Sequence, residues 1–377
     1  MPDSPDVALL ARAAAGDGAA FAELVEPLRG AVFRHCYRML GSGADAEDAT
    51  QDTMERAWLK LATYNGSGPF GAWLQRIATN ICLDGLRARR TRIGLVGYGP
   101  PTAPGAAPGP PDPELAWVEP VSDFDLRVSQ DPQDAVVRRE EISLAFVAAL
   151  QILAPRQRAA LLLHDVLGFT HAEVAEVLQV STTAVNSLLS RARETVRART
   201  GLRQPDITEP RVQRLLEDYV RAWQLADIDA FVQLVAEDVR FIMPPLTAWF
   251  DGREAVAAFV ANAIFAPARP HGVHLRAGSC NGQPAFATYE PDGEGHLNIS
   301  GLQVLQLSEV GGRLFITTLV GVLPGPRPCH PLRVAAIALL GQPQYRHALP
   351  PCLTCGMTRQ RLSYRYINSI YRYEGLP

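Results

Sequence analysis

Lysine is almost missing from this chain of 377 residues: of 36 basic residues, Lys60 is the sole lysine. Together with 30 glycines and 30 prolines, that arginine bias reads as the mark of GC-rich coding and carries no mechanism. Basic residues are also outnumbered by 39 acidic ones, for a formal charge of −3, which excludes a uniform cationic coat for a polyanion. No run of 18 apolar residues occurs, so no membrane-spanning helix is expected. The start, "MPDSPDVALLARAAAG", lacks a basic segment before its apolar stretch, so no signal peptide is expected either. The six cysteines are few and scattered, as in a reducing compartment, and a cytoplasmic location is expected. Only Cys352 and Cys355, in "CLTC", have metal-ligand spacing, and one such pair without a second is a weak zinc or redox signal that chance supplies more often. Neither a metal nor a cofactor is therefore expected.

The charge that is present is unevenly spread. Residues 1–204 hold 21 basic and 24 acidic side chains, residues 205–323 hold 8 and 14, and the last 54 hold 7 and 1. The length suits two or three domains. "GPPTAPGAAPGPPDP", Gly99 to Pro113, is built for an extended tether, and an acidic stretch follows it. "GLRQPDITEP" and "LPGPRPCHP" mark two further breaks. Helical spacing runs through 5–92, with Trp73, Ile77 and Ile81 facing a core, and again through 138–200. After a helical start at 210, the stretches "VRFIM", "HLRAGSC", "AFATYE", "ISGLQVLQL" and "RLFITTLV" read as a run of antiparallel strands, hence a small α+β domain.

The densest information lies in "FTHAEVAEVLQVSTTAVNSLLSRARETVR". Thr170 and Glu173 have the spacing of a capping box before one helix. Ser181 suits the N-cap of a second helix ending near Arg197. Val174, Leu178, Val185 and Leu189 can bury the face between the two. Thr182, Thr183, Asn186, Ser187, Ser190 and Arg191 are then left outward, with Arg193, Arg197, Arg199 and Arg203 adding charge. Short polar groups can reach base edges while arginines grip phosphates, which is the construction of a recognition helix. Local positive charge suffices, because screening confines it to about 10 Å. The same pattern also suits a helical hairpin with a solvated basic face. Gln179 occupies the turn where glycine would most easily supply positive φ.

Two further stretches, "DAEDATQDTMERAW" and "FGAWLQRIATNICLDGLRARR", resemble the σ2 domain of extracytoplasmic-function (ECF) sigma factors, and the helical hairpin resembles their σ4 domain. The resemblance covers roughly 7–92 and 138–200. Residues 210–323, above all "MPPLTAWFDGREAVAAFV", resemble a SnoaL-like domain. The implied fold is multidomain: all-α σ2 (1–92), a Pro-rich acidic linker (93–137), all-α helix-turn-helix σ4 (138–203), an α+β cystatin- or NTF2-like cone (208–323) and an unassigned tail (324–377). Asp45, Asp48, Asp52 and Glu55 share one face by helical spacing, and four carboxylates so close repel unless a cationic partner meets them. The resemblance implies that this face, with Gln51, docks on the β′ clamp helices of core RNA polymerase, and that σ4 meets the β flap. It further implies that "YNGSGPF" captures an extruded base of the −10 promoter element. Asn80, Asp84 and Arg87 would face that DNA, with Arg89, Arg90 and Arg92 on phosphates. Residues 182–193 would read the −35 element. The linker carboxylates Asp112, Glu114, Glu119, Asp123 and Asp125 would face a basic channel of the polymerase.

For the C-terminal domain, Tyr219, Asp238, Trp249, His271, His274 and Tyr289 are candidates for a polar interior. None forms an acid/base pair by spacing, so no catalytic residue is named. A small-molecule ligand, or packing against another part of the chain, is the expected role. Two rivals remain: a SnoaL-like cyclase, isomerase or ligand sensor controlled by a DNA-binding helical region, and a plain DNA-binding repressor. The tail, with "RQRLSYRYINSIYRYEG", mixes arginine and tyrosine and suits either nucleic-acid binding or an unordered extension.

Overall fold

The computed structural model describes residues 7–66, 68–88, 100–106, 108–109, 117–126, 141–198, 205–244, 246–265, 273–291 and 297–323. Within these, the chain forms two compact units. The first holds the described residues of 1–95, 116–120 and 125–202, the second those of 96–115, 121–124 and 203–323. Both helical segments therefore lie in one unit, and the linker is divided between the two.

The first unit is helical. Its elements are α1 (Val7–Ala14), α2 (Gly18–Leu40), α3 (Gly43–Leu59), α4 (Phe70–Ala88), α5 (Leu144–Ile152), α6 (Pro155–Leu161), α7 (His171–Leu178) and α8 (Thr182–Arg197). A short 3₁₀ turn, Leu61–Thr63, follows α3, and a π-helical turn, Leu162–Val166, continues α6. Asp17 caps α2, its Oδ1 accepting the Ala19 and Ala20 amides at 3.0 and 3.1 Å. The long apolar face of α2, including Leu24, Leu28, Val32 and Tyr37, is buried against α3 and α4. The helix ends at Gly41 with φ 72°, and its amide donates to Tyr37 O at 2.7 Å. A Cβ there would also sit 2.9 Å from Cδ of Gln151, so only glycine fits.

In the second unit, α9 (Pro210–Gln224), α10 (Ile228–Leu234) and α11 (Arg253–Phe259) accompany a six-stranded sheet. Its strands are β1 (Val235–Ile242), β2 (Trp249–Asp251), β3 (His274–Cys280), β4 (Gln283–Pro291), β5 (Leu297–Val310) and β6 (Arg313–Val322), in the order β2-β1-β6-β5-β4-β3. The expectation of a purely antiparallel run is corrected at one place: β1 pairs with β6 in parallel. Those two strands come from opposite ends of the sheet's sequence, and α11 and four further strands lie between them. The core gathers Val212, Tyr219, Trp223, Phe231, Phe241, Phe250, Phe259 and Phe286. Gly321 lets Phe241 lie across β6, since a Cβ would come within 2.7 Å of its ring.

Candidate functional site

Helix α3 is built from two contrasting faces. Ala46, Ala49, Thr50, Thr53 and Ala57 are buried, and the threonine hydroxyls donate to the Ala46 and Ala49 carbonyls at 2.6 Å each. Small side chains with satisfied hydroxyls bring α3 close to its neighbours. The opposite face exposes Asp48, Gln51, Asp52 and Glu55, while Asp45 is half-buried in the first turn, where the helix dipole favours a carboxylate. Among the described residues, none of Asp48, Gln51, Asp52 and Glu55 has a side-chain partner. Three uncompensated carboxylates within two turns make a locally anionic stripe. Leu59, 75% exposed, continues the same face with an apolar side chain.

The start of α3 is capped from the linker. Ser42 accepts the Asp45 amide at 3.3 Å, and Glu119 Oε2 accepts the Gly43 amide at 2.9 Å. The Glu119 amide donates to Gly41 O at 3.0 Å, and the Tyr37 hydroxyl donates to Glu119 O at 2.7 Å. Glu119 thus turns inward to an orphan helix amide instead of outward to solvent.

On α4, Asn80, Asp84 and Arg87 are exposed along one side. Arg87 pairs with Asp84 at 2.8 Å, so its guanidinium is partly neutralised within its own helix. The preceding loop is closed by the Tyr64 hydroxyl donating to Gly68 O at 2.8 Å. Tyr64, Phe70 and Trp73 form an aromatic cluster with centroids 5.1 to 5.7 Å apart. Of the three residues expected in the core, Ile81 is buried, whereas Trp73 and Ile77 are half-exposed, Trp73 lying against Tyr64 of the loop. Arg89, Arg90 and Arg92 lie outside the described residues, as do Asp112, Glu114, His271, Cys352, Cys355 and the tail from 324.

Helices α7 and α8 form the anticipated hairpin. Thr170 and Glu173 make the capping box reciprocally, and Ser181 Oγ accepts the Ala184 amide at 3.2 Å. Gln179 itself adopts φ 53°, so the turn forms without glycine. Val174, Leu178, Val185 and Leu189 are buried. Thr182, Thr183, Asn186, Ser187, Ser190 and Arg191 are exposed together. Arg193 differs: it grips Asp165 with two hydrogen bonds of 2.9 and 2.6 Å.

The two helical halves are joined inside the first unit. Arg158, 4% exposed, donates to the carbonyls of Met39, Gln151 and Leu153 and to Gln151 Oε1. Gln151 returns a bond to Arg38 O at 3.0 Å. Arg38 pairs with Glu141 at 3.0 Å; burial lowers its pKa to about 10, opposed by the Glu141 charge. Arg76 on α4 meets Glu176 at 3.2 Å and Glu173 at 3.7 Å on α7. No sequence pattern announces the contacts of Arg158 with Met39, Gln151 with Arg38, Arg38 with Glu141 or Arg76 with Glu176, because each joins residues 100 or more positions apart.

Among the described polar-interior candidates, Tyr219 alone is fully enclosed. Its hydroxyl donates to Gln303 Oε1 at 2.7 Å, and burial raises its pKa well above the usual phenol value. Asp238 and His274 are exposed instead, because strand alternation turns Val239 and Leu275 inward. Trp249 and Tyr289 are half-exposed. Gln303 was not anticipated; its signal is a polar residue inside the apolar run "GLQVLQL". Among the described residues no group of three His, Cys, Asp or Glu could hold a metal ion, and no helix is long and apolar enough to cross a membrane.

Comparison with known proteins decides the class. Residues 24–92 match Sigma-70 region 2, residues 143–196 match Sigma-70 region 4, and residues 216–314 match the SnoaL-like domain. ECF RNA polymerase sigma factor SigG of Mycobacterium tuberculosis is 42% identical over 294 residues, which span 76% of this chain and 78% of SigG. The chain belongs to the ECF RNA polymerase sigma factors. This sigma factor also resembles SigJ of the same organism, at 33% identity over 57% of the chain and 62% of SigJ. The crystal structure of SigJ shares the fold, with a TM-score of 0.53 over 80% of this chain and 96% of SigJ at 24% identity. In this sigma factor the exposed faces of α4 and α8 belong to regions 2 and 4 respectively, and the acidic stripe of α3 lies in region 2.

Proposed function

We propose that this sigma factor binds core RNA polymerase through the α3 face formed by Asp48, Gln51, Asp52 and Glu55, with Asp45 at its edge. The observation carrying this reading is that Asp48, Gln51, Asp52 and Glu55 are exposed and lack side-chain partners among the described residues, on a helix whose other face is packed. A cationic helical partner, such as the β′ clamp helices, relieves their mutual repulsion. In the same reading Asn80, Asp84 and Arg87, with Arg89 and Arg90, face the −10 element, and Thr182, Thr183, Asn186, Ser187, Ser190, Arg191 and Arg193 face the −35 element. Region 4 also meets the β flap. An uncharged hydroxyl–amide pair, Tyr219 with Gln303, fits a non-catalytic role for the SnoaL-like domain, since neither member is a base at neutral pH. That domain regulates the helical regions, and the protein acts in the cytoplasm. Transcription in vitro with core polymerase, with and without residues 205–377, tests the reading. Promoter-specific initiation that changes severalfold on truncation is expected; identical initiation refutes the regulatory role, and no initiation by either form refutes the sigma assignment of these faces.

A further inference from the structure

We infer that the SnoaL-like domain captures the linker at both free edges of its sheet, as an antiparallel bridge beside β3 and as a one-residue clip beside β2, and that this capture sets the slack between the two promoter-reading regions. The outermost strands are β2 and β3. Against β3, Ser122 forms an antiparallel bridge with Cys280. The Asn281 amide donates to Val121 O at 3.0 Å and the Asp123 amide to Ser279 O at 3.2 Å, the alternating pattern of an antiparallel ladder. Two side chains close the contact from either side. Asn281 Oδ1 accepts the Val121 amide at 2.8 Å, and Asp123 Oδ1 accepts the Gly282 amide at 2.7 Å. This contact is dry: Asn281 and Cys280 are 0% exposed and Ser122 1%. Asn281 holds φ 56°, a left-handed conformation that aims its carboxamide at the linker.

At the other edge, the Thr102 amide donates to Trp249 O at 2.8 Å, and Thr102 Oγ1 accepts the Trp249 amide at 3.3 Å. Pro100, Pro101 and Pro104 flank Thr102, so this pairing cannot lengthen into a full strand. Six strands at about 4.8 Å spacing put the edges roughly 24 Å apart. About 20 residue steps between Thr102 and Ser122, at ~3.4 Å each, reach much farther. The sheet therefore takes up tether at two points and leaves its edges shielded. A linker so held has less free length for regions 2 and 4 to separate along, and its release lengthens the tether.

This inference rests on the assignment of α4 and α8 to separate promoter elements, and its test keeps the two apart. Amide hydrogen exchange is followed on the full chain and on Asn281→Gly, which retains the left-handed backbone while removing the acceptor. Asp123→Ala lies outside the sheet and reports if the first variant folds poorly. In the wild type, the Val121 and Asp123 amides exchange slowly. Val121 in Asn281→Gly exchanges roughly five- to tenfold faster, the scale of one or two lost hydrogen bonds. Both variants then form promoter complexes with core polymerase severalfold more readily. Wild-type exchange at Val121 as fast as in an unstructured peptide overturns the capture and leaves the promoter assignment standing. Freed linkers with unaltered promoter binding overturn the link between capture and slack. Failure of every form, wild type included, to bind promoter DNA removes the assignment on which the slack argument rests.

Discussion

Residue by residue, the unusual chemistry of the helical unit sits in its interior. His35 is fully buried between α2 and α4, where Thr79 Oγ1 lies 2.8 Å from its Nε2. Thr79 already donates its proton to Gln75 O, so His35 must donate from Nε2 and stay neutral. Burial first, and the Arg38 guanidinium second, lower its pKa from 6.5 to about 3. The unfolded chain takes this proton near 6.5 while the folded chain does not until about 3. Between those values the unfolded state binds more protons, so stability is complete above the window and falls as pH falls through it. Thermal unfolding should show a midpoint declining from pH 6.5 to 5, before most carboxylates titrate, and His35→Gln should flatten that decline. A wild-type midpoint constant over this range contradicts the assignment. Gln179 supplies a second residue-scale prediction. It is exposed and left-handed, so Gln179→Gly should stabilise the helical unit by about 1 kcal/mol and raise Tm by a few degrees. A lower Tm would show that its side chain contributes more than its backbone strain removes.

Among the elements, α8 shows how far sequence reasoning reaches. Its caps, buried face and outward polar set follow from local spacing, and all are present as read. What spacing cannot supply is the partner of Arg193, because Asp165 belongs to the turn after α6 and meets it only once the helices pack. The pairing predicts unequal arginines. Arg191→Ala should weaken binding to a −35 duplex about tenfold and lower the salt slope by about one, whereas Arg193→Ala should do less of both. Equal losses in a salt titration would contradict the neutralising role of Asp165. Strands follow the same division. β3 is legible as "HLRAGSC" because it alternates and is bounded by turns. The three-residue β2 carries no period, and the parallel β1–β6 pairing depends on chain reversal over the whole domain. The linker's capture was equally silent, since it rests mainly on backbone amides and carbonyls. Asn281 and Asp123 look like ordinary turn residues in the sequence.

Across the whole molecule, a net charge of −3 hides an opposition between an anionic stripe on α3 and a cationic helix α8. Each is local enough to act within a Debye length of about 8 Å, so the sum of charges says little about either partner. Sequence alone separated these two charged patches. It could not show that regions 2 and 4 share one compact unit, because Arg38, Arg76 and Arg158 each look like solvated arginines until their partners arrive from the other half. The α3 face is the point on which the functional account turns. Its most direct measurement is the affinity of the full chain for core RNA polymerase, with and without Asp48→Arg and Asp52→Arg together, at two salt concentrations. The account predicts a loss of at least about a hundredfold at low salt with an unchanged circular dichroism spectrum and Tm, two desolvated charge pairs being replaced by repulsions. Wild-type affinity in the double variant, at both salt concentrations, would contradict it.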